Sequence, residues 1–202
     1  MKNKNYNPMR YKKIMKENML RTYSVTEIRP IGSKFNILNV STEYHMMVSD
    51  LLESEIVMSM TKFTHHGTTT CFQHCVNVSY YNYKICKYLN LDAKSAARGG
   101  LLHDLFLYDW HTYKREKGEK LHGFTHASKA LENAEKYFEL NDIERDVIEK
   151  HMFPLTKAMP KYRETVIITL VDKYCGLLET VIPRIRLMIG IGMLLKRKLS
   201  RK

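Results

Sequence analysis

Apolar residues in this chain recur mostly at three- and four-residue steps, the period of an α-helix with one buried face. From residue 42 the segment TEYHMMVSDLLESEIVMSM sets Met46 or Met47, Leu51, Ile56 and Met60 on that rhythm. Ser41 or Thr42 is the candidate cap, and Gly67 is the expected end. Residues 68–92 repeat the theme with Phe72, Val76, Tyr80 or Tyr83, and Cys86 or Lys87, behind a threonine cap. Asp92 is the next candidate cap, opening a small-residue helix with Gly99 and Gly100 inside it. Each glycine costs about 1 kcal/mol relative to alanine. Their presence predicts a close approach by another helix backbone.

A polar loop is expected over about 111–124, after which Thr125 caps HASKALENAEKYFEL. Asn141 or Asp142 caps IERDVIEKHM, and Pro154 and Pro160 bracket a loop. YRETVIITLVDKYCGLLETVI then reads as a long apolar helix stopping before Pro183. Its β-branched VIITLV core resembles a strand, but the surrounding period is helical. No hairpin is expected. The pattern predicts an all-α fold, a single globular helical domain of about six helices or more. The expected division is a basic N-terminal extension over 1–35, the helical domain over 36–182, and a basic amphipathic C-terminal tail over 183–202.

Charge supports that division. The 202 residues carry a formal +12, but residues 1–30 alone hold +6 and residues 183–202 hold +7, which leaves about −1 for the rest. A reader of specific nucleic acid more often carries its charge on the folded face, so that function is not expected. The basic ends confer solubility, and weak contact with anionic surfaces is their alternative use. Cys71, Cys75, Cys86 and Cys175 form no paired zinc spacing and are expected as reduced thiols. The polar N-terminus lacks a secretory apolar stretch, and the longest apolar run, LMIGIGMLL at 187–195, falls far short of a membrane span. The expected location is cytoplasmic.

Polar residues inside apolar helices point to chemistry. His74, His103 and His151 sit in such settings, as does Asp172 in ITLVDKYCGLL. A buried aspartate is expensive unless paired or bound to a metal. Each residue singly has a structural explanation, such as a core histidine bonded to a carbonyl; several on successive helices suggest a common site. His103 and Asp104 point about 100° apart on a helix, so they share a target only at a bend or crevice. A metal ion is such a target.

The ordered set His74, His103–Asp104 and Asp172 resembles the HD superfamily of metal-dependent phosphohydrolases. HHGTTTCFQHCVNVSYY is similar to that family's first histidine helix, AARGGLLHDL to its approach to the doublet, and LVDKY to its closing aspartate helix. The resemblance covers roughly residues 60–180. It implies that His74, His103, Asp104 and Asp172 hold one metal. It further implies that His126 and His151 add a second, with Asp104 as the bridge; His122 competes with His126 for that place. Lys173 and Arg98 are the candidate cations for substrate charge, and Asp104, Lys173 and Arg98 form the expected catalytic set. Asp109 is a candidate acid/base or cap. His65 and His66 are expected to shape the loop over the site without serving as ligands. Met152 stands after His151, so the paired histidines of the family's cyclic-dinucleotide branch are absent. The Glu-Asp pair of its alarmone hydrolases is absent as well.

The implied cofactor is one or two divalent transition-metal ions. Iron or manganese comes first on the imidazole-rich ligand set, with zinc, nickel, cobalt or magnesium as alternatives. The implied activity is hydrolysis of a phosphomonoester or phosphodiester, with a nucleotide as the small phosphorylated partner. The alternative is a non-catalytic HD-type module that binds metal or nucleotide as a regulator. Assembly into a homo-oligomer is left open.

Overall fold

The computed structural model describes the backbone of residues 42–115 and 117–199. The expected extension 1–35 lies outside the described residues. Among the described residues the fold is helical, as the apolar period predicts, with the addition of one small antiparallel hairpin.

α1 (Thr42–Leu52) buries Tyr44, Val48 and Leu51. The helix expected to run on toward Gly67 breaks after Leu52. Ser54 adopts an extended conformation, and the chain restarts as α2 (Glu55–Met58) and a 3₁₀ turn over Ser59–Lys62. β1 (Thr64–His66) and β2 (Thr69–Thr70) then pair, with Gly67 at φ +59° in the turn. Glycine takes that left-handed conformation at no steric cost. This hairpin corrects the sequence expectation, because strands of two and three residues are too short to show alternation.

Thr70 caps α3 (Cys71–Tyr88), its hydroxyl accepting from the Gln73 amide at 3.2 Å. Asp92 caps α4 (Ala93–Leu102) by accepting from the Ser95 amide at 2.9 Å. α5 (His122–Tyr137) begins at His122, one turn before the expected Thr125 cap; the Thr125 hydroxyl instead donates back to the His122 carbonyl. α6 (Asp142–Lys150) opens with a full capping box, in which the Asn141 side chain and Glu144 each satisfy the other's amide.

α7 (Arg163–Leu199) does not stop before Pro183. Proline removes one N–H from the helix, but the apolar pattern persists on both sides and the backbone continues through it. The expected boundary between domain and tail therefore falls inside a continuous helix.

α4 is the hub and packs against α1, α3, α6 and α7. Its glycines make this possible. A Cβ on Gly100 would stand 2.9 Å from the Ser79 Cα of α3, and one on Gly99 would stand 2.6 Å from the Val147 side chain of α6. The close approach predicted from the Gly-Gly pair is present on both sides. Val78, Val147, Ile168, Val171 and Cys175 join α3, α6 and α7 in one apolar cluster. The four cysteines are buried free thiols.

Candidate metal centre

His74, His103, Asp104, His126, His151 and Asp172 reach one spot between these helices. His74 comes from the first turns of α3 and Asp172 from the third turn of α7. His103 is the C-cap of α4, with Asp104 just beyond it, so the doublet stands at a helix end where the chain bends. His151 is likewise the C-cap of α6, and His126 lies in the second turn of α5. His74, His103, Asp104, His126 and His151 are all buried.

Asp104 lies in the middle, with an oxygen toward each group of histidines. Its Oδ2 is 3.3 Å from His103 Nε2, 3.8 Å from His74 Nε2 and 3.0 Å from His65 Nε2. Its Oδ1 is 3.4 Å from His126 Nε2 and 3.7 Å from His151 Nε2. Asp172 Oδ1 closes the first group at 3.0 Å from His74 Nε2 and 3.6 Å from His103 Nε2.

The outward nitrogens of His74, His103, His126 and His151 are engaged. His103 Nδ1 donates to the Gly100 carbonyl at 2.9 Å, His126 Nδ1 to the His122 carbonyl at 3.0 Å, and His151 Nδ1 to the Ile148 carbonyl at 2.8 Å. Carbonyls only accept, so each of these rings carries its proton on Nδ1 and, when neutral, presents a lone pair from Nε2. His74 Nδ1 donates to Glu179 Oε2 at 2.8 Å, and Asn77 holds the other oxygen of Glu179 at 2.8 Å. Outer partners of this kind fix the orientation of metal-bound imidazoles.

Three observations fit the residues to a cation. The inward atoms lie 3.0–3.8 Å from the Asp104 and Asp172 oxygens; donors bonded at about 2.1 Å to one ion are separated by about 3.0–3.4 Å. His103 Nε2 and Asp104 Oδ1 are buried without a hydrogen-bond partner, a costly state without a further ligand. Finally, His126 Nε2 and His151 Nε2 face each other at 2.9 Å although both rings hold a proton on the far nitrogen. Two lone pairs at that distance repel unless positive charge lies beside them. Four groups of donors in this region meet metal-site spacing: His65–His66–His74, His74–His103–Asp104, His103–His151–Asp172, and Asp104–His126–His151.

Electrostatics show the same demand. Burial opposes charge on His74, but Asp172 and Glu179 outweigh it and raise its pKa to about 10. Burial is likewise overcome at His103, chiefly by Asp104, and its pKa rises. Asp104 and Asp172 are held far below the usual carboxylate range despite burial, Asp104 chiefly by His103 and His65, Asp172 by His103 and His74. Two ionised carboxylates thus draw positive charge into a dry site. His151 goes the other way, down to about 3, through burial and the nearby His103 and His126. It stays neutral, as a ligand must.

The remaining candidates divide. The Lys173 ammonium donates to the carbonyls of His151 at 3.3 Å and Thr169 at 3.0 Å. It is therefore attached behind His151, and burial lowers its pKa. Arg98 does not join the histidines. It pairs with Asp50 at 2.6 Å and Glu144 at 3.0 Å, tying α4 to α1 and α6. Five helical steps put it about 140° around α4 from His103, so its guanidinium stands apart from the histidine cluster. Asp109 is half-buried and organises its own turn through the His111 amide and Thr112. His122 lies behind His126: its Nδ1 bonds the Tyr108 hydroxyl, and its ring stacks on His126 and on Trp110.

The sequence reading places His65 in the loop over the site but misses its contact with Asp104, and it does not single out Glu179. β1 turns His65 inward, against Asp104, while His66 packs beside it, 4.0 Å between ring centroids. A hairpin too short to recognise hid this orientation. Glu179 follows Asp172 by seven residues, two helical turns along one face; that spacing was the available signal.

Successive elements of a helical domain thus bring buried imidazoles and carboxylates together in groups that could hold a metal ion. Residues 71–177 match the HD domain family, and the chain belongs to it. No curated protein and no solved structure matches the chain.

Proposed function

We propose that this protein is a metal-dependent phosphohydrolase that cleaves a phosphomonoester or phosphodiester of a nucleotide. The reading rests on one observation above the others: Asp104 stands between two sets of inward nitrogens, one oxygen toward each. His74, His103, Asp104 and Asp172 would hold one divalent ion, with His65 at hand. Asp104, His126 and His151 would hold a second. Such ions lower the pKa of water to generate a nucleophile and neutralise phosphate charge. The imidazole-rich donor set favours iron or manganese over magnesium.

The chain's own residues prepare this chemistry. Glu179 and the carbonyls of Gly100, His122 and Ile148 hold the ring protons on the outward nitrogens. The inward nitrogens are thereby left as donors. Lys173 braces the carbonyl of His151, the residue that closes one side of the centre. Burial of Asp104 keeps bulk water from competing for its oxygens.

Two measurements test the proposal. Elemental analysis of the purified full chain is expected to find up to two transition-metal ions, with Asp104→Ala losing both. A hydrolysis screen over nucleotide mono- and diesters with iron, manganese, zinc, nickel, cobalt and magnesium is expected to find activity that Asp104→Ala lacks. Hydrolysis unchanged in that variant would refute the mechanism. Metal bound by the wild-type chain without turnover of any phosphate ester would instead support a regulatory binding module.

A further inference from the structure

α7 sorts its charges to opposite sides. Over residues 163–185 its acids all point into the fold: Glu164 is buried and accepts from the Asp92 amide, Asp172 lies in the centre, and Glu179 is buried against His74 and Asn77. Its basic residues, Arg163, Lys173 and Arg184, are on the exposed side. Among them run Val166, Leu170, Tyr174, Leu177, Val181 and Ile185, which are 37–66% exposed.

At about 100° per residue, these six apolar positions fall within an arc of about 100°, and the three basic positions lie in that arc or about 20° from its edge. The stripe runs for about 29 Å. Lys173 also gives its ammonium to two backbone carbonyls at the inner edge. The sequence continuing the helix repeats the chemistry, since residues 183–202 hold seven Lys/Arg, no Asp/Glu and the apolar run 187–195. Among the described residues no helix is long and apolar enough to cross a membrane.

The composition of this face selects its occupant. A second copy would bring three like charges from each chain together. Six half-exposed side chains also offer roughly 500–600 Å², taking 150–200 Å² for each whole side chain, where a standard interface needs about 800 Å² per partner. A nucleic acid would match the charge but leave the leucines in water. A lipid surface with anionic headgroups takes both: apolar side chains enter the headgroup boundary while Arg and Lys reach the phosphates. We infer that the exposed face of α7 docks on an anionic lipid surface. The inference is independent of the reaction at the metal centre.

Co-sedimentation of the full chain with vesicles tests it. Binding is expected to phosphatidylcholine vesicles containing phosphatidylserine, to be at least tenfold weaker on phosphatidylcholine alone, and to weaken as salt rises. Leu170→Glu with Leu177→Glu is expected to reduce binding at least tenfold. Ile85→Glu, an exposed apolar position on α3, serves as the control and should bind as wild type. The leucines are exposed, so circular dichroism and thermal midpoint should remain those of wild type. Binding unaffected by the double substitution would overturn the inference and assign the attraction to the basic ends alone. A wild-type dimer that becomes a monomer in the double variant, with no vesicle binding in either, would overturn it in favour of a second copy. Tighter binding to single-stranded RNA than to the anionic vesicles would overturn it in favour of nucleic acid.

Discussion

Gly100→Ala sets two physical effects against each other. Helix propensity alone says that alanine inside α4 should stabilise the protein by about 1 kcal/mol. Packing says the reverse. The new Cβ would lie 2.9 Å from the Ser79 Cα, 3.3 Å from the Ser79 amide nitrogen and 3.1 Å from Asn82 Nδ2. Two of those three atoms are backbone of α3 and cannot rotate away, so α3 and α4 must separate. Overpacking of this kind costs about 1–3 kcal/mol, and a rigid neighbour favours the upper half of that range. After subtracting the propensity gain, the net is a destabilisation of about 1–2 kcal/mol, or about 2–8 °C in thermal midpoint for a chain of this size. Gly123→Ala is the internal comparison. Its Cβ would meet only Leu155 Cδ2 at 3.3 Å, the tip of an exposed side chain, so propensity should win and raise stability by about 0.5–1 kcal/mol. Both are read by thermal melts of the full chain without added metal. A Gly100→Ala midpoint equal to or above wild type would refute the claim that this glycine exists for the α3–α4 contact.

Further outcomes follow from the same geometry. His65→Ala removes a nitrogen 3.0 Å from Asp104 Oδ2 and should weaken metal binding about 10–100-fold, measured by competition with a chromophoric chelator; unchanged affinity would leave His65 outside the centre. Asp146 should govern acid stability: burial alone would raise its carboxyl pKa, but Lys150, the Thr165 hydroxyl and the Lys161 and Tyr162 amides hold it lowered. Its contribution is therefore complete above the ordinary carboxylate pKa of about 4 and drains away as pH falls through its lowered folded value. Asp146→Asn should cost about 2–3 kcal/mol at neutral pH and flatten the acid limb of a stability-versus-pH curve from urea melts.

The sequence was most legible where a residue's local setting contradicted its chemistry. His74, His103 and Asp172 interrupt apolar helix faces, and all three meet in the fold. Capping residues read well too, because Asp92 and Asn141 act on amides three residues away. Orientation across long distances was harder to read. Arg98 is five residues before the doublet in sequence but turned toward α1 and α6, and only the packing of Asp50 and Glu144 settles which way it faces. The β1–β2 hairpin was illegible because its pairing depends on the helices behind it rather than on alternation within it. The extent of α7 was misjudged because a proline was weighted above the apolar period on both its sides.

The centre draws one side chain each from β1, α3, α5, α6 and α7, and a pair from the end of α4, over a chain distance that runs from His65 to Asp172. No single segment carries enough of it to recruit an ion by itself. The proposed affinity for metal would consequently be a property of the assembled chain, to be lost on unfolding. Loading the site should therefore act as a clasp that couples the hairpin and all the later helices into one melting unit. Whatever loosens any of these elements would be felt first as a fall in ion retention.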